Sequence, residues 1–274
     1  MPAGTALGDL LLTKGASIDA SGDPAGNIRL LGDTIEFNEG AALFMDTLGS
    51  TDAGSLQAFA PSTVTLRGFG DTGLDPFYSS SWSTLVTAGS MGKGADVAIN
   101  TGSLQLLNGG FLITETNGDG DAGSVTIQAQ DVTVAEINPL MIISVLGSYV
   151  GVGANGNGGD LTIDAKRLTL ADSSVTGVQT RGNGDSGDVK ITASEFVEIN
   201  TQLPDFVPFP LLTRLSTEAA PITVFGTSAP PRVIQGIYLS THRACESSMA
   251  AKSVALTQVL VTGEISVSSL IWLR

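Results

Sequence analysis

Short runs in which apolar and polar residues alternate recur along this chain at a regular interval. Each run opens with Gly, or once Ala, then Asn, Ser or Asp, then aliphatic–X–aliphatic. The phrase stands at Gly26-Asn27-Ile28-Arg29-Leu30, Gly54-Ser55-Leu56, Ala95-Asp96-Val97-Ala98-Ile99, Gly123-Ser124-Val125-Thr126-Ile127, Gly159-Asp160-Leu161-Thr162-Ile163 and Gly187-Asp188-Val189-Lys190-Ile191. Successive anchors are 28, 41, 28, 36 and 28 residues apart. A repeat of roughly 20–50 residues signals a solenoid, in which each unit buries its apolar face only against its neighbours.

Within one unit the alternation breaks into three short runs. In the fifth unit Leu161 and Ile163 alternate with polar residues, Leu168 and Leu170 do so after a polar corner, and Val175 and Val178 follow. The third unit repeats this with Val97/Ile99, Leu104/Leu106 and Phe111/Ile113, and the first with Ile28/Leu30, Ile35/Phe37 and Leu43/Met45. Period-2 runs bounded by Gly, Asn and Asp predict strands, and helical spacing is nowhere sustained. The expected fold is therefore all-β: a parallel β-helix with about three short strands per 28-residue coil. Coils stack at about 4.8 Å, so seven or so rise roughly 30–35 Å. Leu30, Ile99, Ile127, Ile163 and Ile191 should form one inward column. The Gly anchors suit corners that need positive φ or close backbone approach.

The longer spacings predict inserts after the second strand, at about 67–88, 135–140 and 201–221. They fall on alternate coils, so they should project from one corner as a row of loops. The chain also opens in mid-coil: Leu10-Leu11-Leu12 reads as a second strand and Ser17-Ile18-Asp19 as a third. We therefore expect a piece of a longer solenoid, whose open ends accept parent coils or like chains. The repeat region spans 1–228, and a divergent tail spans 229–274.

Composition narrows the function classes. The 274 residues carry 27 acidic against 13 basic side chains, a net charge of −14, with charged residues at only 15%. No basic footprint exists to meet phosphates, which argues against nucleic acid. The hydrophobic content of 42% is too high for a disordered chain. The single cysteine, Cys245, rules out an intrachain disulfide framework. The start, Met1-Pro2-Ala3-Gly4, lacks the basic and long apolar regions of a signal peptide. The most apolar stretch, 137–152, is interrupted by Pro139, Gly147 and Gly151 and is too short to span a bilayer.

Three segments carry a family resemblance: Gly156-Asn157-Gly158-Gly159-Asp160-Leu161-Thr162-Ile163-Asp164-Ala165, Gly184-Asp185-Ser186-Gly187-Asp188-Val189-Lys190-Ile191-Thr192-Ala193, and Gly15-Ala16-Ser17-Ile18-Asp19-Ala20-Ser21-Gly22. Over about residues 8–228 the repeat resembles the filamentous haemagglutinin-like exoproteins of two-partner secretion, nearest the long repetitive cyanobacterial adhesins. The resemblance implies a right-handed β-helical rod, export through an outer-membrane transporter, and an extracellular or outer-surface role in adhesion or coating. The family's N-terminal secretion domain has no counterpart among these residues.

Candidate chemistry is sparse. His242 and Cys245 are three apart, but no orienting partner is suggested for a nucleophilic pair. The runs Asn117-Gly118-Asp119-Gly120-Asp121 and Arg181-Gly182-Asn183-Gly184-Asp185 invite a calcium reading. Calcium wants six to eight oxygens, and turn chemistry already accounts for Asn, Asp and Gly there. The acidic positions after the anchors, Asp96, Asp160 and Asp188, could instead belong to a carbohydrate-active β-helical enzyme, a lyase or hydrolase. Such sites also need converging Lys, Arg or His, and no group gathers. A polar corner ladder is the simpler account. The aromatic insert offers Phe77, Tyr78 and Trp82 as residues for stacking on a glycan or a surface receptor, or for covering a corner of the rod. We expect no catalytic residue, no metal and no cofactor.

In the tail the repeat stops. Back-translation of residues 235–264, read from the third base of each codon, can encode G-D-L-S-I-D-T-P-R-L-R-V and a closing G-T-G-D-R-G-N. The unit at 159 reads G-D-L-T-I-D-A-K-R-L-T-L and closes on G-N-G-D-S-G-D. A frameshift near 229–235 is therefore expected, leaving His242 and Cys245 accidental. The functional expectation is a non-catalytic structural or adhesive segment, with the β-helical enzyme as the alternative.

Overall fold

The structure is a computed structural model. It describes residues 6–70, 78–200 and 213–216, together with the backbone of six short strands between 222 and 266. In chain order the strands are β1 (Leu10–Leu12), β2 (Ser17–Asp19), β3 (Ile28–Leu31), β4 (Thr34–Asn38), β5 (Ala42–Phe44), β6 (Ser55–Arg67), β7 (Phe69–Gly70), β8 (Tyr78–Ser79), β9 (Ser81–Val86), β10 (Asp96–Leu107), β11 (Phe111–Thr116), β12 (Val125–Ala135), β13 (Val145–Val150), β14 (Leu161–Leu170), β15 (Val175–Thr180), β16 (Val189–Ile199), β17 (Arg214–Ser216) and β18 (Ile222–Gly226).

Two open parallel sheets result. One runs β1-β4-β6-β10-β12-β14-β16-β18, with β3 also paired to β6; the other runs β2-β5-β9-β11-β13-β15-β17. From β6 to β17 each coil contributes one strand to each sheet and pairs with the coil before and after it. This is a β-solenoid. The first two strands expected in each coil run together from β6 onward, with only a brief break at their shared bend, where the register shifts between Thr101 and Ser103 and between Ala165 and Arg167. Only the coil of β3 and β4 keeps them separate. At the far end, Ile265–Ser266 pairs antiparallel with β18.

Register follows the repeat. Leu30 pairs with Ala58, Ala58 with Ile99, and the column continues through Ile127, Ile163 and Ile191. All six are buried, as the period-2 reading requires. Neighbouring columns, such as Ile35-Val64-Leu104-Val132-Leu168, are equally buried and merge into one core. At about 25 cal/mol per Å², this stacked aliphatic surface is the main source of stability.

The corner between the two sheets alternates between two devices. Coils without an insert turn tightly. Ala41 N donates to Asn38 O, Gly110 N to Leu107 O, and Ser174 N to Ala171 O. Both central residues of these turns have positive φ: Glu39/Gly40, Asn108/Gly109 and Asp172/Ser173. That is the type I′ pattern. The other coils replace the turn with a longer path, over 68–80, 136–144 and 200–213. The inserts therefore leave from one corner on alternate coils, and most of the third, 201–212, lies outside the described residues.

A hydroxyl closes the neck of each insert. Ser80 Oγ donates to Arg67 O (2.8 Å) and accepts from Gly40 N (3.0 Å). Ser144 Oγ donates to Ala135 O (2.6 Å) and accepts from Gly109 N (3.1 Å). Thr213 Oγ1 donates to Asn200 O (2.5 Å) and accepts from Ser173 N (3.0 Å). In each case the hydroxyl joins the end of its own long strand to the tight turn of the coil before. The strand that follows thus begins in the same place whether or not a loop has intervened.

Candidate binding surfaces

The aromatic insert is smaller than its sequence suggests. Residues 81–86 belong to β9, in register with β5 and β11. Trp82 pairs with Leu43 and Leu112, and its parity points it inward. It is 1% exposed and meets Phe37 edge-on, with ring centroids 5.5 Å apart. Trp82 is thus a core residue and cannot stack on a ligand; the energy of burying an indole outweighs its placement beside a loop. Tyr78 lies in the short β7–β8 hairpin, where its backbone pairs with Gly70. Phe77 falls outside the described residues, as do His242 and Cys245.

The Gly/Asn/Asp runs build the opposite corner, through ladders of side-chain oxygens. Asn27 Oδ1 accepts from Ser55 N (2.9 Å), Asp96 Oδ1 from Ser124 N (2.8 Å), Ser124 Oγ from Asp160 N (3.1 Å) and Asp160 Oδ1 from Asp188 N (2.8 Å). A second ladder links Asp121 Oδ1 to Asn157 N (2.7 Å) and Asn157 Oδ1 to Asp185 N (3.0 Å). A third runs through amides, from Asn183 Nδ2 to Asn155 Oδ1 and from Asn155 Nδ2 to Asp119 Oδ1. The oxygens that a calcium reading needs are thereby aimed at the next coil's N–H groups. Among the described residues, no cluster of three His, Cys, Asp or Glu is placed to hold a metal.

Glycine serves this corner by close approach. The anchors do not have positive φ. A Cβ on Gly123 would fall 1.9 Å from Ala95 O, on Gly159 2.0 Å from Gly123 O, and on Gly187 2.2 Å from Gly159 O. A parallel column, Gly92-Gly120-Gly156-Gly184, shows the same contact. Buried and half-buried hydroxyls of the second sheet tie the corner inward. Thr84 Oγ1 donates to Ala95 O, Ser148 Oγ accepts from Gly159 N, and Thr116 and Thr180 donate to Gly120 O and Gly184 O.

Among the described residues four carboxyls depart from their ordinary pKa, and the Ser21 hydroxyl and N–H hold Asp19 low. The Thr51 N–H on its Oδ1 holds Asp23 low. The Arg167 guanidinium grips Asp131 one coil away and holds it low, while Glu195 stands 3.8 Å from Arg167 on the far side. Burial pushes Asp46 up, and the nearby Asp19 carboxylate adds to it. Asp131 lies on the first sheet, several coils from Asp19, Asp23 and Asp46.

The open clefts among the described residues include two on the outer faces of the sheets. One, of about 350 Å³, lies on the outer face of the second sheet around Glu115, Tyr149, Gln179 and Arg181. The other, of about 360 Å³, lies on the outer face of β3, β6, β10 and β12. Phe59 stands in it, 40% exposed. Sequence reasoning missed Phe59, although parity could have found it: with Leu56, Ala58 and Ala60 inward, residue 59 must point out. Compared with protein-family models, curated proteins and solved structures, the chain matches none.

Proposed function

We propose that this chain is a non-catalytic structural and adhesive segment of a surface-exposed exoprotein of the filamentous haemagglutinin-like kind, wound as a right-handed, three-sided coil. The carrying observation is the use made of its acidic corner. In a carbohydrate-active enzyme these carboxylates would converge with basic groups on a substrate. Here Asp96, Asp121 and Asp160 accept backbone N–H groups of the next coil. That arrangement supports a rod whose polar residues hold it together and whose outer faces and inserts are left for contact. The parent protein would cross the outer membrane through its transporter and act at the cell surface. The edge strands β1 and β2 suit pairing with a further coil, from the parent or from a like chain.

The test uses the whole chain. Beads coated with it are presented to cell surfaces, and the soluble chain is incubated with a polysaccharide panel scored for new reducing or unsaturated ends. Adhesion without cleavage is the expected result. Cleavage would replace this reading with the enzymatic one, and absence of adhesion would remove its adhesive half.

A further inference from the structure

The outer cleft on the first sheet has the make-up of a saccharide site. Two outward rows line it. Arg29, Gln57, Ala98 and Thr126 are in register, as are Leu31, Phe59, Asn100 and Gln128. Ala98 is short where its row neighbours are longer, and this hollows the floor beside the taller wall of Phe59, Asn100 and Gln128. The Asn100 amide donates to Gln128 Oε1 (3.3 Å), which fixes both carboxamides along the rim. The four coils span about 14 Å along the rod, room for a short run of sugar rings. The volume of about 360 Å³ falls within the range of small-ligand sites.

The chemistry narrows the ligand. Phe59 presents a ring face on which the C–H face of a sugar can stack. Asn100, Gln128 and Gln57 offer both donors and acceptors to hydroxyls. Charge decides the rest. On a chain with 27 acidic and 13 basic residues, this lining carries one cation, Arg29, and no carboxylate. Arg29 makes no ion pair among the described residues. The acids flanking the lining are Asp96, two residues before Ala98 and already paired with Lys93, and Asp164, one coil beyond Gln128. A guanidinium open at one end of a neutral trough selects a carboxylate.

We propose that this cleft binds a short acidic oligosaccharide, its sugar ring stacked on Phe59 and its carboxylate held by Arg29. The proposal rests on the adhesive reading and gives it a ligand class. The test is calorimetric titration of the full chain with hexagalacturonate and, in parallel, with neutral cellohexaose. Hexagalacturonate should bind at least tenfold more tightly than cellohexaose. Phe59→Ala and Arg29→Ala should each weaken it tenfold or more, with unchanged circular dichroism. Asn100→Ala, on the exposed rim, gives an independent measure should Phe59→Ala perturb folding. Val152→Ser, in the turn after β13, should bind as the parent does. No binding of either saccharide, or undiminished binding in the cleft variants, overturns the proposal. Equal affinity for both saccharides overturns its acidic specificity. If the cleft fails while coated beads still adhere, only the cleft falls. If the saccharide is cut, the non-catalytic reading falls and the cleft stands.

Discussion

At the scale of single residues, the column of inward aliphatics was fully legible. Leu30, Ile99, Ile127, Ile163 and Ile191 sit where alternation put them, because one face of each strand has nowhere else to go. Ile163→Asp should bury a carboxylate without a partner and cost about 4 kcal/mol or more, read by chemical denaturation. Trp82 was misread because a coil boundary cannot be fixed from an insert's composition; its parity with Leu43 and Leu112 becomes visible only once register is known. The glycines were half legible, since close approach and positive φ leave the same letter. Gly156→Ala puts a Cβ 2.0 Å from Gly120 O and should cost about 1–3 kcal/mol. Asp46 and Asp131 make opposite pH predictions. Asp46 has a raised folded pKa, so its contribution is present below the ordinary carboxylate range and lost as pH rises through the folded value. Asp46→Asn should therefore raise the melting temperature at pH 7, and the gain should shrink towards pH 3. Asp131 has a lowered folded pKa, so its contribution is present above the ordinary range and lost as pH falls through the folded value. Asp131→Asn should lower the melting temperature at pH 7, modestly, since the pair is solvent-exposed.

At the scale of elements, spacing alone located the corner that carries the inserts. It overstated the first insert and understated the second, because a loop and the strand that follows it can share a composition. The hydroxyl at each neck was not legible. A lone Ser or Thr before a strand carries no signal until the carbonyl and N–H groups that it joins are brought together across coils. Its role is testable by contrast. Ser144→Ala leaves Gly109 N and Ala135 O without their bridge and should cost about 1–3 kcal/mol. Ser174 occupies the equivalent place in a coil without an insert, and its hydroxyl has no hydrogen-bond partner among the described residues. Ser174→Ala should leave the urea midpoint nearly unchanged. Equal losses in the two variants would show that the neck bond contributes nothing specific.

At the scale of the whole molecule, the solenoid was legible because its information is periodic, and each coil repeats the evidence of the last. The outer faces were not, because solvent-facing positions vary freely from coil to coil and only the assembled register shows that Phe59, Asn100 and Gln128 share a wall. The divergent tail has a decisive check outside the protein: the coding DNA of 235–264, read from the third codon base, should encode a further repeat. Any other reading of those bases rules out the frameshift. The hydroxyl-closed necks carry one last consequence. Because each neck returns the chain to its place, loop and rod can change independently, and the rod then acts as a ruler. Loops on alternate coils are held about 10 Å apart along the axis, with outermost members near 19 Å. A receptor that grips two loops at once gains effective concentration from that fixed spacing. Its choice of partner would then depend on distance as well as on loop sequence, and a ligand pair tethered at about 10 Å should outbind the same pair tethered at half that reach.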